Sequence, residues 1–195
     1  MQALPELTPL QAPMAPAPVL HPLGDRIAHA WQVLHTVLDP EVPAVSLCDL
    51  GIVRDVRLPE GQPLDGGMLE IVLTPTYSGC PATEVIESDV LAAIDAAGLG
   101  PARVVMQRAP AWTTDWISAQ GREKLRAYGI APPGPVDPSV GVPVRFMPRR
   151  QAPSVPCPHC HSERTERLSA FGSTACKALY RCLACQEPFE HFKPI

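Results

Sequence analysis

The feature that most limits how this chain can fold is a duplicated cysteine pair near its end, Cys157-Pro-His-Cys160 and Cys182-Leu-Ala-Cys185, with 21 residues between the two. Each C-x-x-C turn aims two sulfurs at one centre, and two such turns supply the four thiolates that close a tetrahedral metal site. A segment of about 40 residues cannot bury enough apolar surface to fold unaided. Residues 157–192 are therefore expected to form a ribbon whose folding free energy comes from zinc on Cys157, Cys160, Cys182 and Cys185, and to unfold on metal loss without disturbing the rest of the chain. Iron competes for the same ligand set. Two disulfides or a redox-active C-x-x-C are the other readings, and the duplication within one short segment argues against both. His159, His161 and His191 lie close by but are surplus to a site closed by four sulfurs. Cys176 reads as a small buried hydrophobe.

The chain has 195 residues, 25 of them proline, and seven cysteines including Cys48, Cys80 and Cys176. An odd cysteine count with paired knuckles suits a reducing compartment. The first stretch, MQALPELTPLQAPMAPAPVL, has no basic n-region and is broken by proline, so it does not read as a signal peptide. No apolar run is long enough to span a bilayer. We expect a cytoplasmic protein that does not engage a membrane. A net charge of −4 disfavours global attraction to nucleic acid, and within the ribbon five basic residues face four acidic ones, too little for a phosphate-binding footprint.

Residues 1–23 read as a disordered leader rich in Pro and Ala, and residues 131–156, dense in proline, as a semi-rigid linker. Between them, residues 24–130 are expected to form an α+β domain. Asp25 is placed to cap a helix with the stripe Ile27, Ala30, Trp31, Leu34 and Leu38, ending near Asp39 because Pro40 disfavours helix before it. Strands follow at 52–58 and 68–73. A helix begins at Pro81 and ends at Gly98, with Ile86, Val90 and Ile94 on one side. A third strand spans 102–107, and Thr114 is placed to cap a last helix that stops at Gly129. This order packs as a small sandwich with helices on one face of a sheet.

Two loops carry candidate chemistry. DPEVPAVSLCDLG holds Asp39, Glu41 and Asp49. TPTYSGCP places Cys80 at the start of a helix, where free N–H groups and the helix dipole favour the thiolate mildly, with Glu84 opposing. The carboxylates either act on a ligand or only cap turns. Cys48 could approach Cys80 in space. No His or second Cys adjoins Cys80 in sequence, so a protease-like dyad has no local support.

DPEVP, then DLGIV, then T-x-x-x-C-P before a helix resemble the small iron–sulfur assembly domain of SufT-like proteins and cytosolic iron–sulfur targeting subunits, over about residues 25–108. The resemblance implies a compact α+β fold and places the family's candidate site on Asp39, Glu41, Asp49, Thr76 and Cys80. Adding WTTDW at 112–116, the proline linker and the FGSTACKALYRCLAC stretch, nearly everything after the leader resembles the PaaD (or PaaJ) family, the D components of bacterial phenylacetyl-CoA epoxidase systems. That resemblance implies partners carrying a di-iron oxygenase and a flavin and iron–sulfur reductase. This chain has no Glu-x-x-His pairs on long helices, no dinucleotide glycine fingerprint and no plant-type cluster motif, so it does not carry oxygenation or electron transfer alone. The expected role is maturation: delivery of iron or an iron–sulfur cluster to the epoxidase, with Cys80 as a transient ligand. The alternatives are a structural subunit of that complex, or an enzyme using Cys80 as a nucleophile.

Overall fold

A computed structural model describes residues 23–63, 66–77, 79–134 and 154–194. The expected leader, apart from Leu23, and most of the expected linker lie outside the described residues. The element order is α1 (Leu23–Leu34), β1 (Val53–Arg57), β2 (Leu69–Leu73), α2 (Thr83–Ala96), β3 (Ala102–Met106), a 3-10 turn (Thr114–Trp116), α3 (Ala119–Ala127), β4 (Ile130–Ala131), β5 (Thr165–Ser169), β6 (Lys177–Cys182) and β7 (Pro188–Phe192).

The first sheet has β2 at its centre, antiparallel to β1 and parallel to β3. All five residues of β2 are buried. Strand alternation puts Leu69, Ile71 and Leu73 on one face, and there they join Leu34, Ile86, Val90 and Ile94 from α1 and α2 in the main core. On the other face Glu70 is gripped by Arg57 of β1 at 3.1 Å and by Arg103 of β3. Arg26 fastens α1 to the sheet's loops by donating to the carbonyls of Leu99 and Gly67, so a buried guanidinium satisfies carbonyls that the turns leave open.

Three boundaries differ from the sequence expectation. The first helix ends at Leu34 rather than near Asp39, because the main chain turns at Thr36 and Val37 to bring Leu38 into a bridge with Ser46. The second begins at Thr83, two residues after Pro81. The last helix divides: Thr113 accepts from Asp115 N–H to start the 3-10 turn, and Ser118 accepts from Gly121 N–H to start α3. Thr114 caps neither.

The second sheet runs β4-β7-β6-β5. Strand β4 follows α3 directly, yet pairs in parallel with β7 of the ribbon, Ile130 opposite Glu190 and Ala131 opposite His191. Phe192, 1 % exposed, sits in the main core with Cys176 and meets the Trp112 ring at 5.9 Å between centroids. The ribbon is therefore not a separate body attached by a tether. Its own smaller core joins Val155, Ala178, Tyr180 and Phe189 to the buried ligands Cys157 and Cys182. Among the described residues no helix is long and apolar enough to cross a membrane.

Candidate metal centre and thiol cleft

The ribbon's two cysteine turns are built alike. Cys157 N–H donates to Ser162 C=O and Cys182 N–H to Glu187 C=O, each at 3.0 Å and each five residues on. His161 and Gln186, one residue past each knuckle, take positive φ values of 61° and 66°. The reversal presents both sulfurs of each turn to the same point. The four ligand atoms lie within 4.8 Å of one another, with Sγ–Sγ distances of 3.8 Å for Cys157–Cys185 and 3.5 Å for Cys160–Cys182. Zinc–sulfur bonds of about 2.3 Å place tetrahedral sulfurs about 3.8 Å apart, so the donor set fits a single ion. All seven cysteines are free thiols, which removes the disulfide reading. Backbone N–H groups of Cys185 and Ala184 hold the Cys182 thiol down to about 6, while at Cys185 the Glu187 N–H pulls the thiol down but desolvation and then the three neighbouring sulfurs together push it up to about 12. Four thiolates this close require a cation. A metal held by these four sulfurs would be structural, because they leave it no open position.

A second cluster lies in a cleft between the main core and the ribbon. Asp39, Glu41, Thr76, Cys80 and Cys176 line it, walled by Val42, Leu50, Ile52, Pro75, Ile86 and Phe192. Its free volume is about 10 Å³, the space of roughly one water. Asp39 is buried, and its Oδ1 accepts from Glu41 N–H at 3.0 Å and Val42 N–H at 2.8 Å. This is the turn-capping role, and it also fixes the carboxyl at the cleft wall. Burial pushes the Asp39 carboxyl up against its two backbone hydrogen bonds and, more weakly, Lys177, and burial with the Asp39 charge pushes Glu41 up against Lys177. Cys80 is half-buried; desolvation raises its thiol more than the Ala82 N–H lowers it. The expected mild activation by the helix is thus overturned, because α2 starts three residues later and the thiol faces carboxylates.

Asp49 is elsewhere. Its carboxylate receives Lys124 Nζ at 2.6 Å, Ser46 N–H at 3.1 Å and the Ser118 hydroxyl at 3.2 Å. It pins the DLG loop to α3 and does not line the cleft. Gly51 of the same motif has φ +68°, and a Cβ there would lie 2.7 Å from the Trp116 carbonyl oxygen. Trp112 donates its indole N–H to Leu50 C=O at 2.9 Å, and Arg54 lies over the Trp116 ring at 3.5 Å. The WTTDW stretch and the DLG loop are therefore one structural unit.

Cys48, a candidate neighbour of Cys80 from the sequence, instead packs against the core and is pushed up to about 12 by burial and by Asp49. The thiol that does join Cys80 is Cys176, brought by the ribbon. The loop that carries it is tightly held: Glu190 accepts from Ser173 N–H and pairs with Lys177 at 2.9 Å. A Cβ on Gly172 would lie 2.5 Å from Glu190 Oε1. Sequence reasoning passes over Cys176 because no local pattern links positions 96 residues apart; its place in FGSTACK, within a stretch singled out for resemblance alone, is the available signal.

Comparison with known proteins agrees with both halves. Residues 27–105 match the model of an iron–sulfur cluster assembly protein family, and residues 142–193 match the PaaD zinc beta ribbon domain. Over 171 residues the chain is 44 % identical to an Escherichia coli K12 protein provisionally named as the D component of 1,2-phenylacetyl-CoA epoxidase, covering 87 % of this chain and 94 % of that one. The chain belongs to the PaaD family. PaaD-family membership accounts for the pairing of an assembly-type domain with a ribbon in one polypeptide. A Porphyromonas gingivalis Fe-S protein maturation auxiliary factor is 28 % identical over 95 residues, 48 % of this chain and 85 % of its own. The crystal structure of the domain of unknown function DUF59 from Bacillus anthracis has 26 % identity and a TM-score of 0.46, covering 52 % of this chain and 92 % of that one.

Proposed function

We propose that this protein is an accessory factor of a cytoplasmic phenylacetyl-CoA epoxidase, and that it carries iron or an iron–sulfur cluster to the oxygenase or reductase components. The observation that carries the reading is the cleft: a half-buried thiol, Cys80, held beside the carboxylates Asp39 and Glu41 at the edge of an assembly-type domain. Soft sulfur with hard oxygen suits iron held in transit. The E. coli and P. gingivalis relatives, named for an epoxidase and for Fe-S protein maturation, give the two ends of the delivery. Zinc in the four-cysteine site keeps the ribbon folded. Asp49 and Thr76 support the loops rather than the cargo, Asp49 through Lys124 and Thr76 as a buried wall of the cleft. A resting thiol pushed up by burial does not suit the alternative of a Cys80 nucleophile.

The test is to purify the epoxidase components from a strain lacking this gene and measure iron content, cluster absorption and turnover. Iron-deficient, inactive components that recover with catalytic amounts of wild-type protein, but not with Cys80→Ala, are expected. Fully loaded components that need this protein only in fixed stoichiometry would replace the carrier with a structural subunit.

A further inference from the structure

Pro75 and Thr76 wall the thiol cleft and also a second, larger cavity of about 210 Å³, completed by Thr74, Tyr77, Arg108, Ala111 and Trp112. Thr74 follows β2 directly and is 1 % exposed. Its N–H is used, donating to Ile52 C=O at 2.9 Å. Its hydroxyl is not: among the described residues it is the one buried side-chain oxygen or nitrogen without a hydrogen bond. A buried hydroxyl has given up water, and folded proteins keep few such groups unpaired. Arg108 is the second unmatched group. Elsewhere in this domain Arg57 and Arg103 are committed to Glu70 and Arg126 to Glu123. Arg26 and Arg122 are committed to carbonyls, and Arg54 to the Trp116 ring. Arg108 is exposed at the cavity and has no carboxylate, carbonyl or ring partner among the described residues.

A free guanidinium and a free hydroxyl on one cavity offer hydrogen bonds to an anion. One guanidinium balances one negative charge, and its planar fork matches the two oxygens of a carboxylate. A phosphate monoester carries about −1.5 to −2 and would stay partly uncompensated. The volume lies below the roughly 300–1,000 Å³ of sites for drug-sized ligands and cofactors. It suits a small acid or one acidic side chain, and not a nucleotide. We propose that this cavity binds one carboxylate group, paired with the Arg108 guanidinium and accepting a hydrogen bond from the Thr74 hydroxyl, with the apolar part of its carrier against Tyr77 and Trp112. The carrier is a small free acid or an acidic side chain of a protein docked here; the chemistry recognised is the same. The site does not depend on the cargo assigned to the thiol cleft.

The experiment titrates the full-length, zinc-loaded protein by NMR, reading the Thr74 amide and the Trp112 indole signals. The probes are benzoate, its neutral counterpart benzamide, inorganic phosphate, and N-acetylglutamic acid α-amide, whose one carboxylate is a side chain. At least one carboxylate should saturate both signals, about tenfold or more tighter than benzamide and phosphate. Tighter binding of the glutamyl probe assigns the site to a protein partner, and tighter binding of benzoate to a free acid. Arg108→Gln should weaken the carboxylate at least about tenfold, and Arg108→Lys less. Thr74→Val keeps the side chain's shape and removes the hydroxyl. It should weaken binding about threefold or more, yet raise the melting midpoint of the ligand-free protein, because an unpaired buried hydroxyl is gone. A lower midpoint with unchanged binding would make the hydroxyl structural and overturn the site. Equal binding of benzamide, affinity unmoved by Arg108→Gln, or saturation by neither carboxylate would do the same. Iron uptake should be unchanged in Arg108→Gln, so failure here and failure of the carrier reading are read separately.

Discussion

Stripping the ribbon of its metal should destabilise the N-terminal domain as well as the ribbon. A structural tetrathiolate site supplies on the order of 10 kcal/mol to a module this small, so its loss releases β6 and β7. Those strands carry Cys176 and Phe192 out of the main core, where they are 5 % and 1 % exposed, and they break the pairing of β7 with β4. Emptying a buried Phe site costs about 3–5 kcal/mol, against a total stability of about 5–15 kcal/mol for a domain. At about 4–8 °C per kcal/mol for a domain near 100 residues, the midpoint should fall by at least about 12 °C. All three tryptophans, Trp31, Trp112 and Trp116, lie in the N-terminal part, and Trp112 touches Phe192. Trp31 and Trp116 report that part, and Trp112 reports in addition the seating of Phe192 on it. The assay is a thermal melt of the full chain with and without a strong chelator, beside zinc-loaded Phe192→Ala. Both should melt early by similar amounts. A tryptophan midpoint unchanged by chelation, in protein shown to be free of zinc, would refute the coupling and restore an independent ribbon.

Replacing Asp49 with Ala should cost about 2–4 kcal/mol, less than a fully buried pair because Lys124 is partly exposed, and chemical denaturation would show it; Asp49→Asn should lose less and leave iron uptake unchanged, whereas lost uptake in a folded Asp49→Asn would make it a ligand. Cys80 should alkylate faster than Cys48 at neutral pH, because Cys48 is pushed up to about 12; mass-spectrometric labelling that ranks them the other way would contradict the burial argument. Glu70 is held below the usual carboxylate range by hydrogen bonds from Arg103 and then Arg57. Its contribution is therefore complete above the unfolded value of about 4.3 and is lost as pH falls through the lower folded value. Glu70→Gln should flatten the acid limb of the stability curve, and an identical limb in the variant would count against the triad.

What was legible in the sequence is what local chemistry fixes. The metal knuckles are four residues long and self-contained, so Cys157, Cys160, Cys182 and Cys185 could be read before any contact was known. The buried stripes of α2 and β2 follow from periods of 3.6 and 2, and Ile86, Val90 and Ile94 are the buried residues of α2. Cap positions slipped where two oxygens compete: Thr113 and Ser118 each start a turn, and the sequence offers Thr113, Thr114 and Ser118 in one short run. Asp49 was ambiguous because a carboxylate in a loop looks the same whether its partner is a metal or Lys124, 75 residues away.

The harder lesson concerns Cys176 and Lys177. In sequence the pair sits inside the segment that joins two metal knuckles, and the economical reading gives such a segment only the task of closing the metal loop. The structure gives it two tasks. Alternate residues of β6 divide between the ribbon's own core, through Ala178, Tyr180 and Cys182, and the positions exposed or partly exposed on its other side. Cys176, just before its start, lines the cleft instead, and Glu190 of β7 fixes the Lys177 ammonium and the loop together. A strand that must feed a metal site at one end and a thiol cleft at the other cannot tolerate a shift of register. The tetrathiolate at Cys182 and the Phe192 anchor in the main core set that register from opposite ends.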